Sequence, residues 1–154
     1  MVGKMYIKDI LKPENVEIIE SVTDWKDAII KGTRKLIEGG FITHEYTEAI
    51  IANALKFNAY FVLCPGIALL HASSNDGVNE TQLSLTYVKE PFRFEGKEED
   101  VNLLIGMAAS EGNDHMEAIK QIAIILSDNE NMKKALNPQT AEELYDLFTS
   151  IDIL

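Results

Sequence analysis

Residues 101–109, Val-Asn-Leu-Leu-Ile-Gly-Met-Ala-Ala, are an almost unbroken apolar run; only Asn102 and Gly106 interrupt it. A strand of that composition has no side to give to water, so it belongs in a sheet covered on both faces. Helices must therefore pack above and below it, and the rest of the chain supplies them. Thr23 or Asp24 caps a helix running to about Glu38, with Trp25, Ala28, Ile29 and Leu36 at helical spacing and Gly39-Gly40 as a stop. Thr43 begins a second helix, with Tyr46, Ala49, Ile50, Ala54 and Phe57 on one face. Asp114 opens a third, with Glu117 three residues on as a variant capping box and Ile119, Ile122, Ala123 and Leu126 as its inner stripe. Asn129 to Leu136 reads as a short helix. Thr140-Ala141-Glu142-Glu143 is a capping box before Leu144, Leu147, Phe148 and Ile151.

The remaining segments read as strands and turns. Tyr6 to Leu11 makes one helical turn ended by Pro13, and Val16 to Ile19 is a short strand. Phe61 to Cys64 is a strand, broken by Pro65-Gly66 and continued by Ile67-Ala68-Leu69. Ser73 to Asn79 is a polar loop. Gln82 to Val88 alternates, with Leu83, Leu85 and Tyr87 on one face and Gln82, Ser84 and Thr86 on the other. Glu95 to Asp100 is an acidic, solvated turn that a basic partner could also meet. This order predicts an α/β fold: a single mixed central sheet of about five strands with helices on both faces. No repeat, low-complexity tract or linker divides residues 1–154, so a single domain is expected.

Charge narrows the function. Asp and Glu number 25 against 14 Lys and Arg, a formal charge of −11. Nucleic acid and anionic membrane surfaces both select the opposite sign. The one cysteine, Cys64, allows no intrachain disulfide and reads as a buried small hydrophobe inside an apolar strand. The apolar runs are too short to cross a bilayer, and Met1 to Lys12 lacks the apolar centre of a signal peptide. A soluble, cytoplasmic protein without direct membrane insertion is expected.

The chemistry points to histidine, of which there are 3. His71 ends the run Pro65-Gly66-Ile67-Ala68-Leu69-Leu70 where it opens into the polar loop, and His115 falls in the first turn of the helix after the buried strand. If those two strands are neighbours, both imidazoles reach one sheet edge, where α/β sheets bind ligands. A helix start there offers N–H groups and a positive dipole to phosphate. Histidine is largely neutral, hence nucleophilic, near physiological pH. The pair therefore suits covalent phosphohistidine chemistry, with His71 attacking and His115 and nearby amides steadying the phosphoryl oxygens. The bland account makes His71 a strand-end residue and His115 a surface residue. His44 reads as a solvated helix-start residue and Trp25 as a core anchor. Asp76, Asn79 and Asn113 suit either phosphate contact or turn chemistry. Two histidines 44 positions apart match no compact metal spacing, so no metal or other cofactor is expected.

The stretch Tyr60-Phe61-Val62-Leu63-Cys64-Pro65-Gly66-Ile67-Ala68-Leu69-Leu70-His71, with Asp76-Gly77-Val78 after it, resembles the active-site segment of enzyme IIA proteins of the bacterial phosphoenolpyruvate-dependent sugar phosphotransferase system. The mannitol/fructose superfamily carries Gly-Ile-Ala-(apolar)-Pro-His there, and the ascorbate-type branch looks most similar. The block 101–109, a polar turn and His115 match as well, and the likeness covers nearly the whole chain. The resemblance implies a phosphotransferase acting through a phosphohistidine. His71 would take the phosphoryl group from the phosphocarrier HPr and pass it to a cysteine of enzyme IIB, with His115 as the second active-site histidine. Ala72, Ser73, Asn113 and Asp114 are the expected phosphate-binding or supporting residues. Ile67, Leu70 and Met107, with Leu69, form the expected docking collar for HPr or enzyme IIB, with core packing as the competing account for all but Leu70.

Three residues depart from the family pattern: Leu70 stands for its usual proline, Ala72 for glycine, and Ser73 for the arginine of the ascorbate branch. Proline's fixed φ and a planar phosphate donor are thereby lost. They motivate an alternative, a diverged non-catalytic regulatory module that keeps the fold and binds a partner protein. A metal site of His71, His115 and Asp76 is a further alternative.

Overall fold

A computed structural model describes residues 5–57 and 61–150. Its sheet has five strands: β1 (Leu11–Ile19), β2 (Val62–Cys64), β3 (Gly66–Leu70), β4 (Gln82–Phe92) and β5 (Val101–Ala108). Their order is β1-β4-β5-β3-β2. β1 runs parallel to β4 and β3 parallel to β5, while β4–β5 and β2–β3 are antiparallel. The sheet is thus mixed, as the sequence predicts.

Helices cover both faces, and β5 is buried on each. Leu103, Ile105 and Met107 pack with α1 (Ile7–Ile10), α4 (Gly112–Leu126), α5 (Asn129–Ala135) and α6 (Ala141–Thr149). Leu104 and Ala108, from the alternate positions, pack with α2 (Trp25–Glu38) and α3 (His44–Lys56). Asp24 caps α2 by accepting from the Asp27 N–H at 2.8 Å, and Thr140 caps α6 by accepting from the Glu143 N–H at 3.1 Å. Among the described residues no helix is long and apolar enough to cross a membrane.

Several local expectations are corrected. The run from Phe61 to Leu69 is not one interrupted strand. Pro65 lacks an N–H, and Gly66 takes φ +96°, so the chain folds back and β2 pairs antiparallel with β3. β1 begins at Leu11 and passes through Pro13; it is an edge strand, and its register shifts between Leu11 and Val16, where proline costs no ladder bond. α4 starts at Gly112 with Glu111 as its N-cap, two residues before Asp114, and its inner stripe is Ala118, Gln121, Ile122, Ile125 and Leu126. Ile119 is half-buried and Ala123 exposed. Phe57 lies past the end of α3 and is 53% exposed. Tyr60 and Ile151 lie outside the described residues.

The alternation in β4 is real, but its polar side is not solvated: Gln82, Ser84 and Thr86 are buried, Ser84 against α2. Small groups make that close approach possible. The Ser84 hydroxyl donates to the Gly32 carbonyl of α2 at 3.0 Å, and Gly106 of β5 lies against both. A Cβ at Gly106 would overlap Ser84 Oγ and sit 2.9 Å from the Gly32 carbonyl oxygen. Gly106→Ala is therefore expected to cost about 1–3 kcal/mol by overpacking. In urea unfolding, the midpoint should fall with an unchanged slope; an unchanged midpoint would refute the close packing.

Candidate active site

The parallel pairing of β3 with β5 sets the site. Leu69 lies opposite Ile105 and Leu70 opposite Gly106, so both strands end at one edge of the sheet. His71 follows β3 directly. β5 ends at Ala108, and a short turn leads into α4, where His115 donates its N–H to the Glu111 carbonyl at 3.1 Å. The two imidazole centroids are 5.4 Å apart with the rings at 60°, edge to face. Both rings are half-buried.

His71 is held in one orientation. Its Nδ1 lies 2.9 Å from the Leu69 carbonyl oxygen. A carbonyl only accepts, so Nδ1 carries the proton, and in the neutral ring the nucleophilic lone pair belongs to Nε2. Burial pushes the His71 pKa below the usual histidine value of 6.5; the Leu69 hydrogen bond opposes this, and the nearby His115 charge adds to it. The ring therefore stays neutral and nucleophilic through neutral pH.

The expected supporting residues are near but already engaged. The Ala72 N–H donates to the Tyr46 hydroxyl at 3.0 Å. The Ser73 N–H donates to Asp76 Oδ2 at 3.1 Å, and Ser73 Oγ accepts from the Asn75 N–H at 3.3 Å. These bonds close the single 3₁₀ turn Ser74–Asp76. Asn113 is exposed in the first turn of α4. Asp114 Oδ2 accepts from the Thr81 hydroxyl at 2.7 Å, and Thr81 Oγ1 accepts from the Ser110 N–H at 3.0 Å. Asp114 thus braces the turn before α4. Glu111 makes no side-chain cap bond to that helix.

The docking collar is corrected. Ile67, Leu69, Leu70 and Met107 are each 0–1% exposed. Leu70 packs toward α2, within reach of a Cβ at Gly32, and the others join the α4–α6 side of the core. Their side chains offer no surface to a partner. The apolar side chain that is exposed beside His115 is Met116.

Other residues separate from the site. His44 is exposed at the first position of α3. Trp25 is half-buried, 6.4 Å from the Phe94 ring. Asn79 Nδ2 donates to the Gly40 carbonyl at 3.1 Å. Cys64 is half-buried on β2 rather than fully enclosed, and burial raises its pKa, keeping it a thiol. The acidic turn lies at the other end of the sheet, where the Asp100 carbonyl accepts from the Gly66 N–H at 2.9 Å. Among the described residues no group of three His, Cys, Asp or Glu side chains can hold a metal, so the metal alternative lacks a third ligand.

Sequence reasoning missed Tyr46 and Thr81 as parts of the site. Tyr46 is visible in the apolar stripe of α3, but nothing in that stripe reveals where its hydroxyl goes. Thr81 precedes a strand and carries no motif.

Residues 9–151 match the family of the phosphoenolpyruvate-dependent sugar phosphotransferase system, EIIA 2. The ascorbate-specific PTS system EIIA component of Salmonella choleraesuis (strain SC-B67) is 32% identical over 146 residues, covering 93% of this chain and 95% of that one. The solution structure of the mannitol-specific cryptic phosphotransferase enzyme IIA of Escherichia coli superposes with a TM-score of 0.89 at 28% identity, covering 96% of this chain and 100% of that one. Enzyme IIA of the mannitol system of Escherichia coli, in its complex with phosphorylated enzyme IIB, shares the fold with a TM-score of 0.76 at 23% identity, covering 90% of this chain and 98% of that one. The chain belongs to the EIIA 2 family of the phosphoenolpyruvate-dependent sugar phosphotransferase system.

Proposed function

We propose that this chain accepts a phosphoryl group from HPr on Nε2 of His71 and passes it to a cysteine of enzyme IIB. The observation that carries the reading is the pair of imidazoles 5.4 Å apart at one sheet edge. The Leu69 carbonyl, 2.9 Å from Nδ1, fixes the tautomer that such a reaction needs. Membership of a sugar phosphotransferase family and the enzyme IIB complex of a fold relative support the direction of transfer.

The step balances without a nucleotide. Nε2 attacks phosphorus in the donor's phosphohistidine; the new N–P bond forms as the donor's N–P bond breaks, and its electron pair returns to the donor imidazole. In the second half, a thiolate of enzyme IIB attacks the same phosphorus, an S–P bond forms, and the electron pair returns to Nε2 of His71. The protein's task is positioning and charge stabilisation. His115 and the first turn of α4, which Glu111 leaves without a side-chain cap, are assigned to the phosphoryl oxygens. Ala72, Ser73 and Asp114 hold the surrounding backbone.

Incubation with phosphoenolpyruvate, enzyme I and HPr should add one phosphoryl group by intact mass, and His71→Ala should abolish it. Equal labelling of that variant would refute the assignment. A folded wild type that stays unlabelled while binding a specific partner would favour the regulatory alternative. His115→Ala should slow transfer about 10²-fold, the scale of losing one charge-stabilising donor; an unchanged rate would remove His115 from the mechanism.

The pH dependence follows from the lowered His71 pKa. A depressed value means that less than half of the rings are protonated at pH 6.5, the ordinary histidine midpoint. The acceptance rate at saturating donor should fall on acidification with its half-maximal point below that pH. NMR titration of the ring checks this directly, and a midpoint above 6.5 would contradict it.

A further inference from the structure

We propose that Tyr46 is a positioning residue, whose hydroxyl sets His71 against His115 by joining the ends of β3 and β5. This rests on the phosphocarrier reading for its kinetic consequence, though not for its geometry. Tyr46 lies on α3 and is 1% exposed. Its hydroxyl donates to the Met107 carbonyl at 2.5 Å and accepts from the Ala72 N–H at 3.0 Å. The Ala72 carbonyl lies farther off, at 3.4 Å.

The two segments that it joins are those that carry the histidines. Ala72 is the next residue after His71. Met107 is the penultimate residue of β5, which leads through the Ser110 turn into α4 and His115. The register of the two strands runs to Leu70 and Gly106. Beyond that register, the Tyr46 hydroxyl spans both segments. The same helix holds the far side of the loop after His71, since the Thr43 N–H donates to the Gly77 carbonyl at 2.9 Å. Gly77 takes φ +126°, and a Cβ there would overlap Thr43 Oγ1 and come within 3.1 Å of the Tyr46 backbone nitrogen. α3 therefore grips the His71 loop at both ends. Displacing a reacting group by an ångström costs rate steeply.

The test is Tyr46→Phe, which keeps the ring and removes the bridge. The saturating transfer rate should fall about 10- to 100-fold with KM for phosphorylated HPr unchanged. The His71 ring signals in NMR, and their titration midpoint, should shift. Tyr87→Phe is the control. It deletes another tyrosine–carbonyl bond, from Tyr87 to Leu136 at 2.8 Å, on the other side of the sheet. It should lower stability without moving the transfer rate or the His71 signals. Equal rates and unshifted His71 signals in Tyr46→Phe would overturn the proposal. Should that variant fail to fold, hydrogen exchange on the wild type decides: a protected Ala72 amide supports the bridge, and one exchanging as fast as that of its exposed neighbour Ser74 overturns it. A wild type that takes no phosphoryl group, with His71 signals still shifted in Tyr46→Phe, would overturn the carrier reading and uphold the positioning.

Discussion

Everything at the histidine edge depends on β5 being buried on both faces and paired in parallel with β3. Two parallel strands end on the same side of a sheet, and here the residues after those ends bring His71 and His115 together. An antiparallel pairing would have put the imidazoles at opposite edges. The double burial also dictates the layers, because Leu103, Ile105 and Met107 need one set of helices and Leu104 and Ala108 need another. Gly106 and Ser84 then let α2 come close enough for a hydrogen bond to its own backbone carbonyl.

The layers were legible because they follow from periodicity and burial. The caps at Asp24 and Thr140, the stripe of α2 and the apolar core of β5 all sit where local pattern places them. The misreadings share a cause: a side chain's type does not state its surroundings. Leu70 looks like a docking residue because it is apolar and adjoins His71, yet its position in a strand turns it under α2. Asp114 has the chemistry of an N-cap, but Thr81 takes its carboxylate and α4 begins earlier. Pro65-Gly66 reads as an interruption, whereas only the φ of Gly66 reveals a reversal.

The site was legible in part. Two histidine blocks and their convergence could be read from the chain, since strand ends and helix starts are local features. The hydrogen bonds that give the pair its chemistry could not. The Leu69 carbonyl that selects the tautomer is main chain and leaves no mark in composition. Tyr46 acts from a helix 26 and 61 residues away from the groups it joins. The amides of Ala72 and Ser73 are both engaged within the fold, one by the Tyr46 hydroxyl and the other by the Asp76 carboxylate.

The proposed transfer turns on one atom, Nε2 of His71. Long-range ¹H–¹⁵N NMR on the phosphorylated, uniformly labelled chain reads it directly. The account predicts a phosphorus-coupled Nε2 on His71, with Nδ1 still protonated against the Leu69 carbonyl. Phosphorus on Nδ1 of His71, or on either nitrogen of His115, would contradict it.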